Sequence, residues 1–461
     1  MPQDPLSNNQ AEIRSKTKLS KDHPKIDDYL RSFPSAPDAA SRKRKREKFT
    51  TEGARKVRSV RNKGACVACH YRKTPCSVDE ICAHCLKAVK NDYSLAKEIC
   101  VRNKMQDSYF GVKTIAIFGS LEARKGALDP LLQSLSGNSY PVELSVKSSI
   151  GSSDTAVLPL RVRQCDLGRT CRWKGLSKVK GIYITSKSIY APRYAVIPGC
   201  VSFANVEKFS CQVLSLSLSH SGGITRFLDD FMSTYSHYSR STELREFVRS
   251  SRSVVGLNGL VSYGSLEIRD GSYELLNLPP TDIPFVGPTV HDQIRLLAAG
   301  GLEIAEKTVF SQIDSFKKLV GPNKHARIVG GICLLRLLLL YRDRVLRDAI
   351  RVSLPREKIL HRERLEQSSF MYRRLTVAYG ILCRDANTPI TTSWVAESDS
   401  VKWTKEDNIL QTQFSRLQDA YKDFCKLSVQ LARNHANLPK GDTLTDEHDD
   451  LFKGVVVNSR P

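Results

Sequence analysis

The spacing of apolar positions changes character along the chain. Between about residues 108 and 222, apolar residues come in short alternating or β-branched runs: Val112 to Phe118, Tyr140 to Val146, Ala156 to Val162, Gly181 to Ile184 and Val213 to Leu218. Gly, Ser, Asn and Pro separate them, which predicts the strands of an antiparallel or mixed sheet. From Ile224 onward the period becomes helical. Phe227, Leu228, Phe231 and Tyr235 mark one face, and Leu244, Phe247 and Val248 another. A β-like insert is expected from Val254 to Leu276, closed by the breaker Leu278-Pro279-Pro280. Helices then fit Val290 to Ala299, Glu303 to Leu319, Arg327 to Val352, Glu357 to Arg384 and Lys405 to Asn434. The last repeats Leu410, Phe414, Leu417, Tyr421, Phe424 and Leu431 in a seam too short for a firm coiled coil, so it is expected to pack on its own domain. The apolar run from Ile328 to Tyr341 falls short of the ~20 residues a membrane span needs, and Arg336 interrupts it. It predicts a buried core helix and no membrane partner.

Neither end of the chain has such a period. Residues 1–62 are rich in Ser, Pro, Asp, Lys and Arg, a composition that buries too little apolar surface to offset its ordering entropy, so a disordered basic arm is expected. Residues 438–461 form an acidic tail. Between these ends the sequence divides into a cysteine module (63–104), a β-rich region (108–222) and a mainly helical regulatory or interaction domain (223–437). The expected fold class is therefore multidomain: a small cysteine-cluster module plus an α+β region with a predominantly helical C-terminal half. The net charge of +23 over 461 residues favours a polyanionic partner. Much of that charge lies in Arg42, Lys43, Arg44, Lys45, Arg46 and Lys48, followed by Arg55, Lys56, Arg58, Arg61 and Lys63. Such a cluster serves as a nuclear import signal or a phosphate-contacting arm.

Six of the thirteen cysteines crowd behind this arm, at Cys66, Cys69, Cys76, Cys82, Cys85 and Cys100. The N-terminus has no apolar h-region, so a reducing compartment is expected, where clustered thiols more often bind metal than form disulfides. Two cysteines two residues apart can reach one Zn2+ ion from a single tight turn. The pairs Cys66/Cys69 and Cys82/Cys85 are together enough for one four-thiolate structural site. Six thiolates are too many for one tetrahedral ion but suit two ions sharing two sulfurs. The isolated Cys165, Cys171, Cys200 and Cys211 read as buried structural thiols.

The segment GACVACHYRKTPCSVDEICAHCLK resembles the fungal Zn2Cys6 binuclear cluster family of transcription factors. It follows that family's C-x2-C-x6-C-x5-12-C-x2-C pattern, including Arg72 and Lys73 between the second and third cysteines. The resemblance covers roughly 40 residues and implies two Zn2+ ions bridged by Cys66 and Cys82. Cys69 and Cys76 would complete one site, Cys85 and Cys100 the other. It also implies double-stranded DNA as partner, with Lys73 donating to guanine in the major groove and Arg72 and Lys87 contacting phosphates. The chain departs from the family at His70 and Pro75, where cations are usual, and in the fourteen residues before Cys100.

Enzyme signatures are missing: VKTIAIFGS continues LEARKG and makes no P-loop, and no G-x-S-x-G, H-E-x-x-H or G-x-G-x-x-G pattern occurs. The lone histidines read as surface or satisfied core residues, and the Arg-rich stretches Tyr341 to Arg351 and Arg362 to Arg374 as solvated helix faces. The expectation is a nuclear, zinc-dependent DNA-binding regulator of RNA polymerase II genes, not an enzyme. Its helical region is left for regulation, homodimerisation or protein partners. The alternative is a nuclear interaction or scaffold factor with a structural four-cysteine zinc module.

Overall fold

The computed structural model describes residues 50–72, 74–88, 91, 93, 96–97, 100–102, 105, 125–147, 155–167, 170–179, 182–217, 223–262, 266–268, 276, 283–284, 287–315, 323–352, 358–383, 390–395 and 405–435. The expected strand Val112 to Phe118, most of the basic arm and the acidic tail lie outside them. Over the described residues the fold is mostly helical, with two small sheets and the cysteine-rich module at its N-terminal end.

Composition predicts no order before residue 63, yet Thr51–Lys63 forms helix α1. The Thr50 hydroxyl accepts the Gly53 N–H at 3.1 Å, and Lys56 pairs with Glu52 one turn away at 2.8 Å. The stretch holds no proline and is rich in good helix formers, so local signals make a helix where apolar content is too low to bury one. None of its residues is buried. It stops at Gly64, whose φ of 82° is left-handed and would strain any residue with a Cβ. Helices α2 (Val67–Arg72) and α3 (Ala83–Ala88) follow in the cysteine module.

The strands are β1 (Leu135–Lys147), β2 (Thr155–Cys165), β3 (Thr170–Val179), β4 (Ile182–Pro192), β5 (Tyr194–Val196), β6 (Glu267–Ile268) and β7 (Ile283–Pro284). One sheet runs β5-β2-β1-β6 and the other β4-β3-β7, all antiparallel. Alternation sets the face of β2: Ala156, Leu158, Leu160 and Val162 are buried, while Pro159, Arg161 and Arg163 are exposed. Its sheet is backed by helices α4 (Phe203–Ser217) and α7 (Pro288–Ser315). Gln293 of α7 closes the short β5. Its amide donates to Val196 O at 3.0 Å and accepts the Val196 N–H at 2.7 Å.

Three expectations are corrected here. Val213 to Leu218 reads as alternating, but residues 213–217 belong to α4, where Val206, Phe209 and Val213 form one buried helical stripe. The expected β-like insert begins inside α6 (Thr242–Ser262), and among its described residues only Glu267–Ile268 is extended. The two helices expected around residue 300 are one, because α7 continues through Gly300-Gly301. A Cβ at Gly300 would come within 3.1 Å of the Phe203 ring, so the glycine is there for close approach and the helix continues past it.

Helices α5 (Ile224–Tyr238), α6, α7, α8 (Lys324–Val352), α9 (Lys358–Cys383) and α10 (Lys405–His435) build the main core. As expected, α8 is buried from Ile328 to Tyr341, and α10 packs its Leu410, Phe414, Leu417 and Tyr421 seam onto α5. Two arginines expected to be solvated or merely interrupting are buried pairs instead. Arg336 donates to Asp229 at 2.9 Å, and Arg344 donates to Glu306 at 2.8 Å and to Asn258 at 2.7 Å. His325 is a satisfied core residue, set between the Tyr235 hydroxyl at 2.9 Å and Val395 O at 2.7 Å.

Candidate metal centre

Cys66 and Cys82 each stand just ahead of a short helix. Their carbonyls accept the first helical bonds, from His70 N–H at 2.8 Å and Leu86 N–H at 3.0 Å. A Cys-x2-Cys spacing then puts the second thiol of each pair on the first turn, facing the first. The Cys69 N–H donates to Cys66 Sγ at 3.4 Å, and the Cys85 N–H donates to Cys82 Sγ at 3.3 Å.

The two turns face each other. Cys66, Cys69, Cys82 and Cys85 are all buried, with their sulfurs within 4.8 Å of one another. The Sγ–Sγ distances are 3.8 Å for Cys66–Cys82, 3.6 Å for Cys66–Cys85 and 3.6 Å for Cys69–Cys82. A disulfide needs about 2.05 Å, so no disulfide joins these four cysteines. A tetrahedron built on Zn–S bonds of about 2.3 Å has S···S edges of about 3.8 Å, and these separations match it. The four-cysteine cluster can hold a metal ion.

The other two cysteines flank the cluster in corresponding places. The Cys66 N–H donates to Cys76 Sγ at 3.4 Å, and the Cys82 N–H donates to Cys100 Sγ at 3.1 Å. Cys100 is buried, with its thiol also 4.0 Å from Glu80 O, while Cys76 is half-buried. Such crowding splits the thiols into donors and acceptors. Hydrogen bonds with Cys100 first, then Cys69 and Cys82, hold the Cys66 proton on, and Cys85 is raised likewise. Cys82 is driven to thiolate by the same neighbours, Cys100 foremost. Donation from Cys66 draws Cys69 and Cys100 each down to about 7. A cation at the centre relieves all of these competitions at once, because every thiol can then ionise.

Arg102 was not marked by any sequence pattern, and it closes the module. Its guanidinium donates to Gly64 O at 2.7 Å, Ser77 O at 2.7 Å and Asp79 O at 2.5 Å, and reaches Cys76 Sγ at 3.6 Å. One side chain thus ties the entry to Cys66 to the loop carrying Cys76. Its only sequence trace is a cation two residues past Cys100. Lys63 adds a bond to Val78 O from the end of α1.

The remaining site residues are placed unevenly. Lys87 is exposed in the last turn of α3, and Arg72 ends α2. Lys73 and the cluster Arg42 to Lys48 lie outside the described residues. Of the isolated cysteines, Cys165 and Cys171 are buried as expected, Cys211 is half-buried and Cys200 is exposed. Helix α2 packs against α9, and the Met105 N–H donates to Asp314 of α7 at 2.9 Å, so the module is joined to the helical core. No protein-family model matches the chain, and neither a curated protein nor a solved structure matches it.

Proposed function

We propose that residues 63–104 bind two Zn2+ ions, and that the chain is a zinc-dependent, sequence-specific DNA-binding regulator of RNA polymerase II transcription acting in the nucleus. The observation that carries the metal part is the duplication of the sulfur network. Cys66, Cys69 and Cys76 are related by the same N–H···S bonds as Cys82, Cys85 and Cys100. Cys66 and Cys82 sit where the halves meet, which suits them to bridge. Cys69 and Cys76 would complete one ion's ligands, Cys85 and Cys100 the other's. Bound there, zinc supplies folding free energy to a segment with too little apolar surface for its own core.

The nucleic-acid part rests on charge and placement. Helix α1 has no buried residue and carries exposed Arg55, Lys56, Arg58, Arg61 and Lys63 immediately before Cys66. Lys87 is exposed on the other side of the cluster. These cations would neutralise phosphates and set register. Base readout is assigned to Lys73, with Arg72 beside it on the backbone.

A second reading has its own support. Because α2 packs against α9, the module can equally be a structural four-thiolate zinc unit holding the helical core of a nuclear interaction factor. Elemental analysis of the purified full chain separates the two. Two zinc ions per chain, falling to one or none in Cys76→Ala, fits the binuclear reading; one ion, unchanged by Cys76→Ala, fits the second. Selection of duplexes from random DNA by the full chain then tests the readout, and recovery of no common sequence overturns it.

A further inference from the structure

We propose that the β3–β4 hairpin is a separate docking surface for single-stranded nucleic acid, distinct from the cysteine module. The hairpin pairs Thr170–Val179 with Ile182–Pro192 in antiparallel register. Its two faces differ. Cys171 and its cross-strand partner Ala191 are 6% and 3% exposed, so that face turns to the core. The neighbouring pair, Arg172 and Tyr190, lies on the other face, and both are exposed. Tyr190 is 79% exposed, more than any other large hydrophobic side chain among the described residues.

Two residues along β3 from Arg172, Lys174 stands in register with Ser188. Lys178 and Lys187 add charge to the two strands, and no Asp or Glu occurs anywhere between Asp166 and Glu207. A cationic ribbon free of carboxylates attracts a polyanion. An aromatic ring standing in water on that ribbon offers a face for stacking. In a duplex the base faces are already stacked on one another, so this ring is usable only by an unpaired base. The combination of backbone cations with an open aromatic therefore selects a single strand over a duplex.

The test is fluorescence anisotropy of the full chain with labelled oligo(dT) of about 15 nucleotides, and with a duplex of the same length. Tyr190→Ala is expected to weaken oligo(dT) binding about tenfold, within the range that loss of one stacked base produces. Tyr190→Phe keeps the ring and should bind as the parent. Arg172→Gln with Lys174→Gln should reduce the slope of log K against log salt by about 1.4. Duplex affinity should stay within about twofold for all three, which separates this surface from the proposed DNA-reading module. Arg172 and Tyr190 are exposed, and circular dichroism should be unchanged in every variant. Parental oligo(dT) affinity in both Tyr190→Ala and the double variant overturns the proposal, as does a loss confined to the duplex. If the parent reads no duplex sequence yet the hairpin variants lose oligo(dT), the module reading fails and this one stands.

Discussion

Arg102 holds three backbone carbonyls and one sulfur with a single planar group. A lysine at that position has one compact ammonium and cannot span the same set. Both Arg102→Lys and Arg102→Met are therefore expected to loosen the Cys76 loop and lower zinc affinity by about 10–100-fold, the range for loss of an outer-shell partner. Competition with a chromophoric chelator measures it, and parental affinity in both variants would refute the clasp. In the core, Asp229 and Arg336 are 1% and 8% exposed at the side chain. Asp229→Ala leaves a buried guanidinium without its carboxylate, and urea denaturation should show a loss of about 3–5 kcal/mol. Arg336 is plain in the sequence as a charge within an apolar run. Its partner, more than a hundred residues away, becomes visible only when α5 and α8 pack.

Helices cross where small residues let their backbones approach. A Cβ at Gly256 of α6 would come within 3.0 Å of the Ser210 backbone of α4, and backbone cannot turn aside as a side chain can. Gly256→Val should therefore cost about 1–3 kcal/mol, as overpacking does, read as a lowered melting temperature. Glycine pairs also explain how the periodicity of α7 misleads. Gly300-Gly301 looks like a break between two helices, but the Phe203 ring fills the space that side chains would have taken. Helix α4 misleads in the opposite way. Its Ser-Leu alternation imitates a strand, while Val206, Phe209 and Val213 carry the helical stripe that the core selects. Where apolar residues recur through several turns with no competing pattern, as in α8 and α10, pattern and structure agree.

At the scale of the whole molecule, the α2–α9 packing ties the metal-binding cysteine cluster to the helical core, so the proposed zinc would act on both. Ligand binding stabilises whatever unfolds together with the site. Removing zinc with a chelator is accordingly expected to lower the melting temperature of the helical region, read by far-ultraviolet circular dichroism, and added zinc should restore it. A module hanging on a free linker would leave that transition unmoved. The same coupling bears on the proposed DNA binding, because α2 carries Arg72 at its end and already has a helix beside it.

The sequence by itself determined the pairing of the cysteines that form the centre and the extent of the last three helices, α8, α9 and α10. Cys-x2-Cys pairing and helical periodicity are local, and the physics that produces them acts over one or two turns. Tertiary structure alone decided which sulfurs meet, because Cys66 and Cys82 come together only when two separate turns face each other. It also decided that Arg336 and Arg344 are buried pairs, that Arg102 clasps the module, and that α2 rests on α9. Each of these needs a partner far away in the chain, and burial, unlike periodicity, is a property of the packed molecule.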